Sequence, residues 1–474
     1  MIPNYSPWIK QLNRTRPAIP LGEDLKTDVA IVGGGIAGVV SAYFTLRDTD
    51  KDVVLLEADR IAHGATGHNA GQITGHFERP LVDIVAEFGL EAAISGQKSI
   101  ESAWLILEEI YSETGLQTPL YRFTGYTGFT NEDQLLAELK NASCRATGGL
   151  IPDPIMISDE SGIEHSIPGE FKKFYSVVPQ SDILSILEAK KDEYIAAVAQ
   201  PKGCLNSALF TEELVGYLLA KHRGRFDLFE ESPVSRVVLK EGIGGVEVLG
   251  HQVTAERILL CTNGFENFHI KNEAGADIDT KFHHLVLGRI GYMAGYIEPL
   301  ASPPITISYF PKVREHPDDP TGEGYFYLTR RPHEKDGTDN LVCTGGPEKV
   351  LPNQALYSRQ ELCNEEMREI IDSFLIDNYK NYPEGGTEYA FCWHGLMGYT
   401  PNGIRRIGFE PCNPVLMYNL GCNGVGILPS IYGGKRISQL LSGEQLEQSI
   451  FDPIDQRCEV APASPELQEI PATL

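Results

Sequence analysis

The sequence of 474 residues contains no C-x-x-C pair and no H-E-x-x-H motif, so it offers no recognisable metal site. It also lacks an apolar run as long as the ~18 residues that a membrane-spanning helix requires, and we therefore expect no membrane span. The first residues, MIPNYSPWIKQLNRTRP, have no apolar core of the kind that marks a signal peptide. We therefore expect a cytoplasmic protein.

Cysteines at short, paired spacing are missing as well. The nine cysteines occur singly between Cys144 and Cys458, and their number is odd. Wide spacing without an export signal favours reduced thiols in the cytoplasm over a disulfide framework. The adjacent residues His283 and His284 are not expected to share a metal, because neighbouring side chains on a strand point to opposite faces.

Basic residues are scarce compared with acidic ones. The chain has 40 Lys and Arg against 65 Asp and Glu, which gives a net charge of −25. Nucleic acids and anionic membranes are therefore not expected as partners, because both bind clustered Lys and Arg. The same charge favours a small cationic substrate.

A glycine-rich turn near the N-terminus joins a short apolar strand to a helix. Val29–Val32 is rich in β-branched residues, and Ile36–Arg47 has the composition of a helix. Between and within them, Gly33, Gly35 and Gly38 form the pattern G-x-G-x-x-G in the context that a dinucleotide-binding motif requires. The first glycine permits the tight turn, the second admits a pyrophosphate, and the third lets the helix pack closely on the strand.

An acidic residue ends the next predicted strand. The run DVVLLE ends at Glu57, 24 residues after Gly33. A carboxylate at this position accepts hydrogen bonds from the ribose hydroxyls of an adenosine and repels a 2′-phosphate. The N-terminal region is therefore predicted to bind a dinucleotide.

A second glycine-rich helix start lies near the C-terminus and favours FAD over NAD. Gly421, Gly424 and Gly426 precede a predicted helix that runs to about Leu441. After Glu57 the chain does not continue into further β-α units, as an NAD domain usually does. Two distant helix starts suit a large dinucleotide whose flavin end lies at the second helix.

Several segments together resemble the D-amino-acid oxidase-like family of FAD-dependent oxidoreductases. They are SPWIKQL, TDVAIVGGGIAG, CTNGF, WHGLMGYTPNGIRRIG at 393–408 and NLGCNGVGILPSIYGGK. The resemblance covers most of the chain and is nearest the gamma-glutamylputrescine oxidase-like branch. It implies a mixed α/β fold in which a doubly wound, Rossmann-like FAD-binding domain is interleaved with a mixed-sheet substrate domain. The FAD-binding domain is expected at 1–80, 200–275 and 400–455, the substrate domain at 81–199 and 276–399, and a C-terminal tail at 456–474.

The resemblance also gives a role to the segment GATGHNAGQITGH, from Gly64 to His76. In the family this segment runs beneath the flavin, where bulky side chains would block the approach, and Gln72 is placed to polarise the flavin edge. His76 is expected to be an ordinary loop residue. The positions expected to contact FAD are Gly33, Gly35, Ile36, Ala37, Gly38, Glu57, Ala58, Gly64, Ala65, Thr66, His68, Asn69, Ala70, Gly71, Gln72, Val234, Thr262, Asn263, Gly264, Gly395, Gly421, Asn423, Gly424, Val425 and Gly426.

His68 leaves two interpretations open. It stands where gamma-glutamylputrescine oxidase-like sequences usually have Arg, and where dimethylglycine dehydrogenase-like sequences have a histidine bonded covalently to the flavin. The neighbouring residues Asn69–Gln72 match the non-covalent branch better. Non-covalent FAD is therefore the favoured expectation, and a covalent link at His68 is the alternative.

The substrate expectation depends on Met397. Family members that oxidise amino acids typically carry Arg in a G-L-R-P sequence to pair with the substrate carboxylate, and the matching stretch here is Gly395-Leu396-Met397-Gly398. A primary or secondary amine without a nearby carboxylate is therefore favoured. His394, Tyr399 and Tyr327 are the candidate catalytic residues. Further pocket candidates are Tyr292 and Arg330, although Arg330-Arg331 is expected to be a solvated pair.

The predicted reaction is oxidation of a C–N bond. A hydride passes from the carbon next to a neutral amine to flavin N5, the imine is hydrolysed, and oxygen or another acceptor reoxidises the flavin. A glycine- or sarcosine-like amino-acid oxidase or dehydrogenase is one alternative. Another is a flavin-binding redox subunit without amine turnover, although the cysteine clusters of iron–sulfur centres are missing. A monooxygenase is disfavoured because its usual G-D-A signature is missing.

Overall fold

The computed structural model describes residues 3–299, 302–311, 324–333, 337–351 and 357–453. The predicted C-terminal tail, 456–474, lies outside these residues. Within the described part of the chain, no helix is long and apolar enough to cross a membrane.

The chain alternates between helices and two sets of strands. The helices are α1 (Pro7–Lys10), α2 (Ile36–Asp48), α3 (Leu81–Phe88), α4 (Leu90–Thr114), α5 (Glu132–Thr147), α6 (Gln180–Ile186), α7 (Ser207–Lys221), α8 (Asp279–Phe282), α9 (Glu365–Asn378) and α10 (Ile427–Leu441). The strands are β1 (Leu25–Val32), β2 (Val53–Leu56), β3 (Gln72–Thr74), β4 (Tyr121–Phe129), β5 (Ile155–Ser158), β6 (Tyr175–Val178), β7 (Ala196–Cys204), β8 (Phe226–Phe229), β9 (Val234–Leu239), β10 (Gly244–Val248), β11 (His251–Leu260), β12 (His269–Asn272), β13 (Leu287–Pro299), β14 (Ile305–Tyr309), β15 (Phe326–Pro332), β16 (Asp339–Leu351), β17 (Phe391–Tyr399), β18 (Arg406–Phe409) and β19 (Leu416–Leu420).

The first sheet has a parallel centre, as the doubly wound fold requires. Its strand order is β12-β9-β10-β11-β1-β2-β8, with β19 beside β11 and β18 beside β19. The pairs β11–β1, β1–β2, β2–β8 and β11–β19 are parallel. The centre of the sheet is buried on both faces, which accounts for the uninterrupted apolar runs of β1 and β2.

The second sheet is mixed and lies in the predicted substrate domain. Its order is β17-β13-β16-β15-β14-β4-β7-β5-β6, and β3 pairs with β7. The strand β3, within the segment 1–80 assigned from the sequence to the FAD-binding domain, therefore belongs to this sheet. The chain thus enters the second sheet within the segment Gly64–His76, at Gln72.

A disulfide contradicts the prediction that all nine cysteines are reduced thiols. Cys363 and Cys392 are bonded, with their Cα atoms 5.9 Å apart. Cys392 lies on β17 and Cys363 precedes α9, and 29 residues separate them in the chain. Their pairing results from tertiary packing, so spacing in the sequence gave no sign of it.

Helix α2 lies unusually close to β1 and to the last helix. A Cβ on Gly38 would lie 1.9 Å from the carbonyl oxygen of Gly33, and a Cβ on Gly434 would lie 2.9 Å from Val40. Both contacts require a hydrogen in place of a side chain. The two helices that follow the glycine-rich turns, α2 and α10, therefore pack side by side.

We predict that Gly38→Ala destabilises the protein by about 3 kcal/mol, because the added methyl would overlap a backbone oxygen that has no room to move. The matched control is Gly216→Ala on the exposed face of α7, where nothing lies within 4 Å of the added Cβ. There the substitution is expected to stabilise by about 0.5–1 kcal/mol through helix propensity. Urea unfolding of both variants measures the difference, and equal midpoints would contradict the close approach.

Candidate active site

A cavity of about 1100 Å³ runs from the carboxyl ends of β1 and β2 into the second sheet. Most residues predicted to bind FAD line it. Gly38, Gly264, Gly421 and Asn423 are the exceptions and lie behind its surface. The predicted residues on the cavity wall are Gly33, Gly35, Ile36, Ala37, Glu57, Ala58, Gly64, Ala65, Thr66, His68, Asn69, Ala70, Gly71, Gln72, Val234, Thr262, Asn263, Gly395, Gly424, Val425 and Gly426.

The turn between β1 and α2 requires glycine and leaves the helix end facing the cavity. Gly33 has φ +109°, and a Cβ there would lie 2.6 Å from the carbonyl oxygen of Cys261. The N-cap of α2 is Gly35, which has no side chain to cap the helix. The Ile36 N–H donates to Thr66 Oγ1 at 2.9 Å, so the helix end is tied to the predicted flavin segment. An uncapped helix N-terminus on a cavity suits a phosphate.

Glu57 is held in place by the backbone. One carboxylate oxygen accepts from the Gly34 N–H at 2.7 Å and the other from the Asp59 N–H at 2.9 Å. Burial raises the pKa of Glu57, and the two N–H donors oppose that effect. The remaining lone pairs of this fixed carboxylate are available to the hydroxyls of a ribose.

The segment from Gly64 to Gln72, hereafter the flavin loop, is a short 3₁₀ turn followed by a side-chain-stabilised bend. Asn69 Oδ1 accepts from the Gly71 N–H at 2.7 Å, and Asn69 Nδ2 donates to Thr66 O at 2.9 Å. Gly71 has φ +68°, a conformation that glycine adopts without strain. Gln72 donates through Nε2 to Leu328 O at 3.2 Å, which anchors the end of the loop to β15.

His68 is half-buried and neutral within this loop. Its Nδ1–H donates to Gly64 O at 3.0 Å, so the lone pair is on Nε2. Burial lowers the pKa of His68 to about 4. The ring therefore carries no charge at neutral pH, a condition that both the covalent and the non-covalent interpretation share.

The second glycine-rich turn also opens a helix end toward the cavity. Gly421 and Gly424 have φ of +89° and +77°, and Gly426 caps α10 without a side chain. Asn263 Oδ1 accepts from the Cys422 N–H at 3.0 Å, which joins this turn to the segment after β11. Beside it, Thr262 Oγ1 is buried on the cavity wall and has no hydrogen-bond partner among the described residues. Such an orphaned hydroxyl fits a polar ligand in the cavity.

Strand β17 presents alternate residues to the cavity, and this alternation corrects two predicted pocket residues. Gly395, Met397 and Tyr399 line the cavity. His394 directly precedes Gly395 and faces the other side of the sheet, where it packs against Tyr292 at 5.9 Å between ring centroids. Neither ring is placed to relay a substrate proton, because a strand turns successive side chains to opposite faces.

Three tyrosines and two carboxylates cluster where the cavity meets the second sheet. We name Tyr325, Tyr327, Tyr399, Glu78 and Glu348 the tyrosine–carboxylate cluster; all five line the cavity. The Tyr325 hydroxyl donates to Glu78 Oε2 at 3.2 Å, and the rings of Tyr325 and Tyr327 are 5.7 Å apart. A Cβ on Gly424 would lie 2.9 Å from the Tyr399 hydroxyl and 3.1 Å from Glu78, so the cluster adjoins the second glycine-rich turn.

Burial perturbs the titration of this cluster. It raises the pKa of Glu78, an effect that the Tyr325 hydroxyl and the charges of Lys202 and Arg289 oppose. It also raises the pKa of Tyr327 and Tyr399, so both phenols stay protonated. The predicted pocket residues Tyr327 and Tyr399 therefore offer neutral hydroxyls and aromatic faces to a ligand. Tyr325, Glu78 and Glu348 were missed, although the alternation YFY at 325–327 places two tyrosines on one face.

Arg289 is the cation beside Met397. The two residues are cross-strand partners in the register of β13 and β17. Arg289 is 4% exposed, lies 3.5 Å from Glu348 and places its guanidinium 4.9 Å from the Tyr399 ring. Its charge is therefore offset by a neighbouring carboxylate.

The predicted solvated pair Arg330-Arg331 is buried instead. Arg330 is 1% exposed and donates to both carboxylate oxygens of Glu188 at 2.6 and 2.8 Å. Arg331 is 4% exposed and lies over the ring of Trp8 at 4.9 Å. Neither lines the cavity. Arg330 and Arg331 point to opposite faces of β15, and each is packed against its own partner, Glu188 or Trp8.

The cavity extends past the cluster into a second polar chamber. His76, predicted to be an ordinary loop residue, lines it and lies 3.7 Å from Asp153 Oδ2. Glu138, Asp153 and Lys202 share the wall, and burial raises the pKa of Glu138 to about 7 and lowers that of Lys202 to about 8. His76 therefore lies among ionisable side chains on the cavity wall and is not an exposed loop residue. It follows β3, which pairs with β7 inside the second sheet.

A possible metal cluster lies apart from the cavity. The ligand atoms of His269, Asp279 and His283 lie within 4.8 Å of one another. However, His283 directs Nδ1 at Asp279 O and Nε2 at Glu266 O, at 2.8 and 3.1 Å. Both ring nitrogens of His283 are thus engaged by backbone carbonyl oxygens, which disfavours metal ligation.

Comparison with known proteins identifies the group of proteins that the chain resembles. The model of the family described as FAD dependent oxidoreductase matches residues 28–440. Gamma-glutamylputrescine oxidoreductase of Escherichia coli is 37% identical over 99 residues, which cover 21% of this chain and 23% of that protein. D-amino acid dehydrogenase of Helicobacter pylori is 23% identical over 88% of this chain and 95% of its own. Glycine oxidase of Geobacillus kaustophilus has the same fold, with a TM-score of 0.63 and 15% identity over 90% of this chain and 98% of its own.

FAD is the cofactor, and the cavity fits it. Two uncapped helix ends, the fixed carboxylate of Glu57 and the orphaned hydroxyl of Thr262 all face one continuous space. The first helix end and Glu57 suit the pyrophosphate and the adenosine ribose, and the second helix end suits the flavin.

We predict that Gly35→Val abolishes FAD binding, because the added side chain would stand at the end of α2 where a Cβ is already 3.0 Å from Thr66 Oγ1. The ratio of visible flavin absorbance to protein absorbance in the purified variant measures the loss. Gly216→Ala, whose Cβ meets nothing within 4 Å, is the control and should keep full flavin content. Full FAD in Gly35→Val would overturn the assignment of this turn.

We predict that acid precipitation releases the flavin, so that the supernatant is yellow and the pellet colourless. The reason is that the residues around His68 match the non-covalent branch of the family. His68→Ala should then lower FAD affinity only modestly. A yellow pellet, with a tryptic peptide containing His68 heavier by one FAD, would instead establish the covalent link.

Proposed function

The chain belongs to the family of FAD-dependent oxidoreductases, and from that premise we propose that it oxidises the C–N bond of a primary or secondary amine. The observation that carries the proposal is the tyrosine–carboxylate cluster on the cavity wall. Ammonium groups are attracted to the faces of tyrosine rings and to carboxylates, and each such contact is stronger when water is excluded. The cluster therefore has the chemistry of a site for a cationic amine.

The residues around Met397 support an amine without an adjacent carboxylate. Met397 fills the space above Gly291, where a Cβ would lie 2.9 Å from its terminal methyl carbon. Arg289, the nearest cation in register, is offset by Glu348 at 3.5 Å. A carboxylate placed here would have to displace Glu348 from the arginine. Arg405, a cation that lines the cavity, already donates to Asn419 and to Gly421 O.

The side chains of the cluster have separate tasks in the proposed reaction. The bound FAD supplies the acceptor for a hydride from the carbon next to the nitrogen. The substrate arrives as an ammonium ion and must lose a proton first, and Glu78 is the carboxylate placed to take it, with the Tyr325 hydroxyl donating to Glu78 Oε2 at 3.2 Å. Tyr327 and Tyr399 orient the amine. Water hydrolyses the resulting imine, and oxygen or another acceptor takes up the electrons.

The name of one relative points to the same substrate class. Gamma-glutamylputrescine is an amine, and the enzyme of that name matches this chain over 99 residues. That match spans less than a quarter of the relative, so its substrate enters here only as support for the class. The identity of the amine stays part of the proposal.

An amino-acid oxidase or dehydrogenase is the second candidate, and Arg289 is the observation that favours it. Arg289 lies cross-strand from Met397, next to the position where the resemblance expects a carboxylate-binding arginine. D-amino acid dehydrogenase and glycine oxidase are also among the similar proteins. In this candidate reaction a substrate carboxylate would take the place of Glu348 beside Arg289.

We predict that, in anaerobic solution, alkylamines and diamines bleach the flavin faster than glycine, sarcosine or D-alanine. Glu78→Gln keeps the hydrogen-bond acceptor for Tyr325 and removes the charge. The ratio of the flavin reduction rate constant to the amine dissociation constant should fall about 10- to 100-fold in this variant. The control is Glu241→Gln, an exposed carboxylate in the turn between β9 and β10, which should leave the rate unchanged.

The two candidates predict opposite rankings in this experiment. Preferential reduction by small amino acids, lost in Arg289→Lys and kept in Glu78→Gln, would contradict the amine proposal and establish the second candidate. No bleaching by any amine or amino acid would contradict both and leave a flavin-binding redox subunit.

A further inference from the structure

We propose that Trp8 is a positioning residue for the FAD site, and that the N-terminal segment 4–11 sets the position of the flavin loop. The proposal depends on FAD binding and is independent of the amine substrate. Segment 4–11 precedes residue 28, where the match to the family model begins. The match of residues 28–440 therefore assigns no role to it, although SPWIKQL is among the segments that resemble the family.

Trp8 contacts the flavin loop directly, from the side away from the cavity. It is fully buried, and its indole N–H donates to Asn69 O at 2.6 Å. Its ring lies against Gly71, where a Cβ would approach to within 2.7 Å. Asn69 and Gly71 are the two ends of the bend that the Asn69 side chain closes. The Trp8 side chain thus holds both the carbonyl group of Asn69 and the left-handed backbone of Gly71.

Trp8 is itself held from several directions. Ser6 Oγ accepts from the Trp8 N–H at 3.1 Å and begins helix α1, and Asn206 Nδ2 donates to Trp8 O at 3.2 Å. The Arg331 guanidinium lies 4.9 Å above the ring, and Trp393 of β17 meets it edge-on at 6.5 Å. The indole is therefore a fixed point against which the flavin loop packs.

The same N-terminal segment also holds the opposite wall of the site. Asn4 Oδ1 accepts from the backbone N–H of His394 at 3.0 Å, and Asn4 Nδ2 donates to His394 O at 3.3 Å. Ile9 lies behind Gly67, where a Cβ would be 2.4 Å from the Ile9 methyl group. The segment therefore contacts both the flavin loop and β17, on the side away from the cavity.

The test compares Trp8→Phe with Trp104→Phe. The first keeps an aromatic ring under Arg331 and removes both the N–H and the outer ring atoms Cη2 and Cζ2 that lie against Gly71. Trp104 is the matched control, because it is also buried and also lies under an arginine, Arg122 at 4.5 Å, but it does not touch the flavin loop. We expect Trp8→Phe to raise the FAD dissociation constant about tenfold. We also expect it to shift the visible flavin absorbance bands and the two-electron reduction potential.

Trp104→Phe should lower the melting temperature as much as Trp8→Phe and change none of the three flavin measurements. Trp8→Leu, which loses the ring as well, should raise the FAD dissociation constant further. Wild-type flavin measurements in Trp8→Phe, or equal changes in Trp104→Phe, would overturn the proposal. If Trp8→Phe does not yield folded protein, the same three flavin measurements are made on Ile9→Val, which removes only the methyl group behind Gly67. The same changes are expected, and wild-type values would overturn the proposal.

Discussion

The backbone contact between His68 and Gly395 is the constraint on which the arrangement of the site depends. A Cβ on Gly395 would lie 2.5 Å from the His68 carbonyl oxygen, so the flavin loop and β17 touch without a side chain between them. The loop is also tied to helix α2 by Thr66 and to β15 by Gln72. Next to this contact the Asn423 N–H donates to Gly398 O at 3.0 Å, and the cavity that fits FAD continues from the first sheet into the second. A side chain at position 395 would separate the cofactor-binding half from the half that carries the tyrosine–carboxylate cluster.

Charge, and not only shape, distinguishes the two ends of this cavity. At the nucleotide end, Glu57 is satisfied by two backbone N–H groups. At the substrate end, Glu78 has one tyrosine hydroxyl as a hydrogen-bond partner, and burial raises its pKa. Burying a carboxylate is costly unless a partner offsets the lost hydration. A cationic substrate would supply that partner, which connects the electrostatics of the cavity with the proposed reaction.

The features that the sequence predicted are local in the chain. The G-x-G-x-x-G turn, the acidic end of β2 and the glycines before α10 are each contained in a short stretch, and the structure places all three on the cavity. The face of the sheet to which His394 points depends on how β17 pairs with β13, where Gly291 opposes Gly395. A shift of this register by one residue would move every side chain of the strand to the opposite face. The Tyr325–Glu78 bond and the Cys363–Cys392 disulfide join segments that have no common local pattern. They arise only from the tertiary packing of segments that are distant in the chain.

A crystal structure of the FAD-loaded protein with a bound, unreactive amine tests the central claim most directly. We predict the adenosine at Glu57, the flavin between the two glycine-rich helix ends, and the amine nitrogen within contact of Glu78 and the rings of Tyr327 and Tyr399. The claim would be contradicted if the nitrogen lay outside the tyrosine–carboxylate cluster. It would equally be contradicted if a bound amino acid placed its carboxylate on Arg289 with Glu348 displaced.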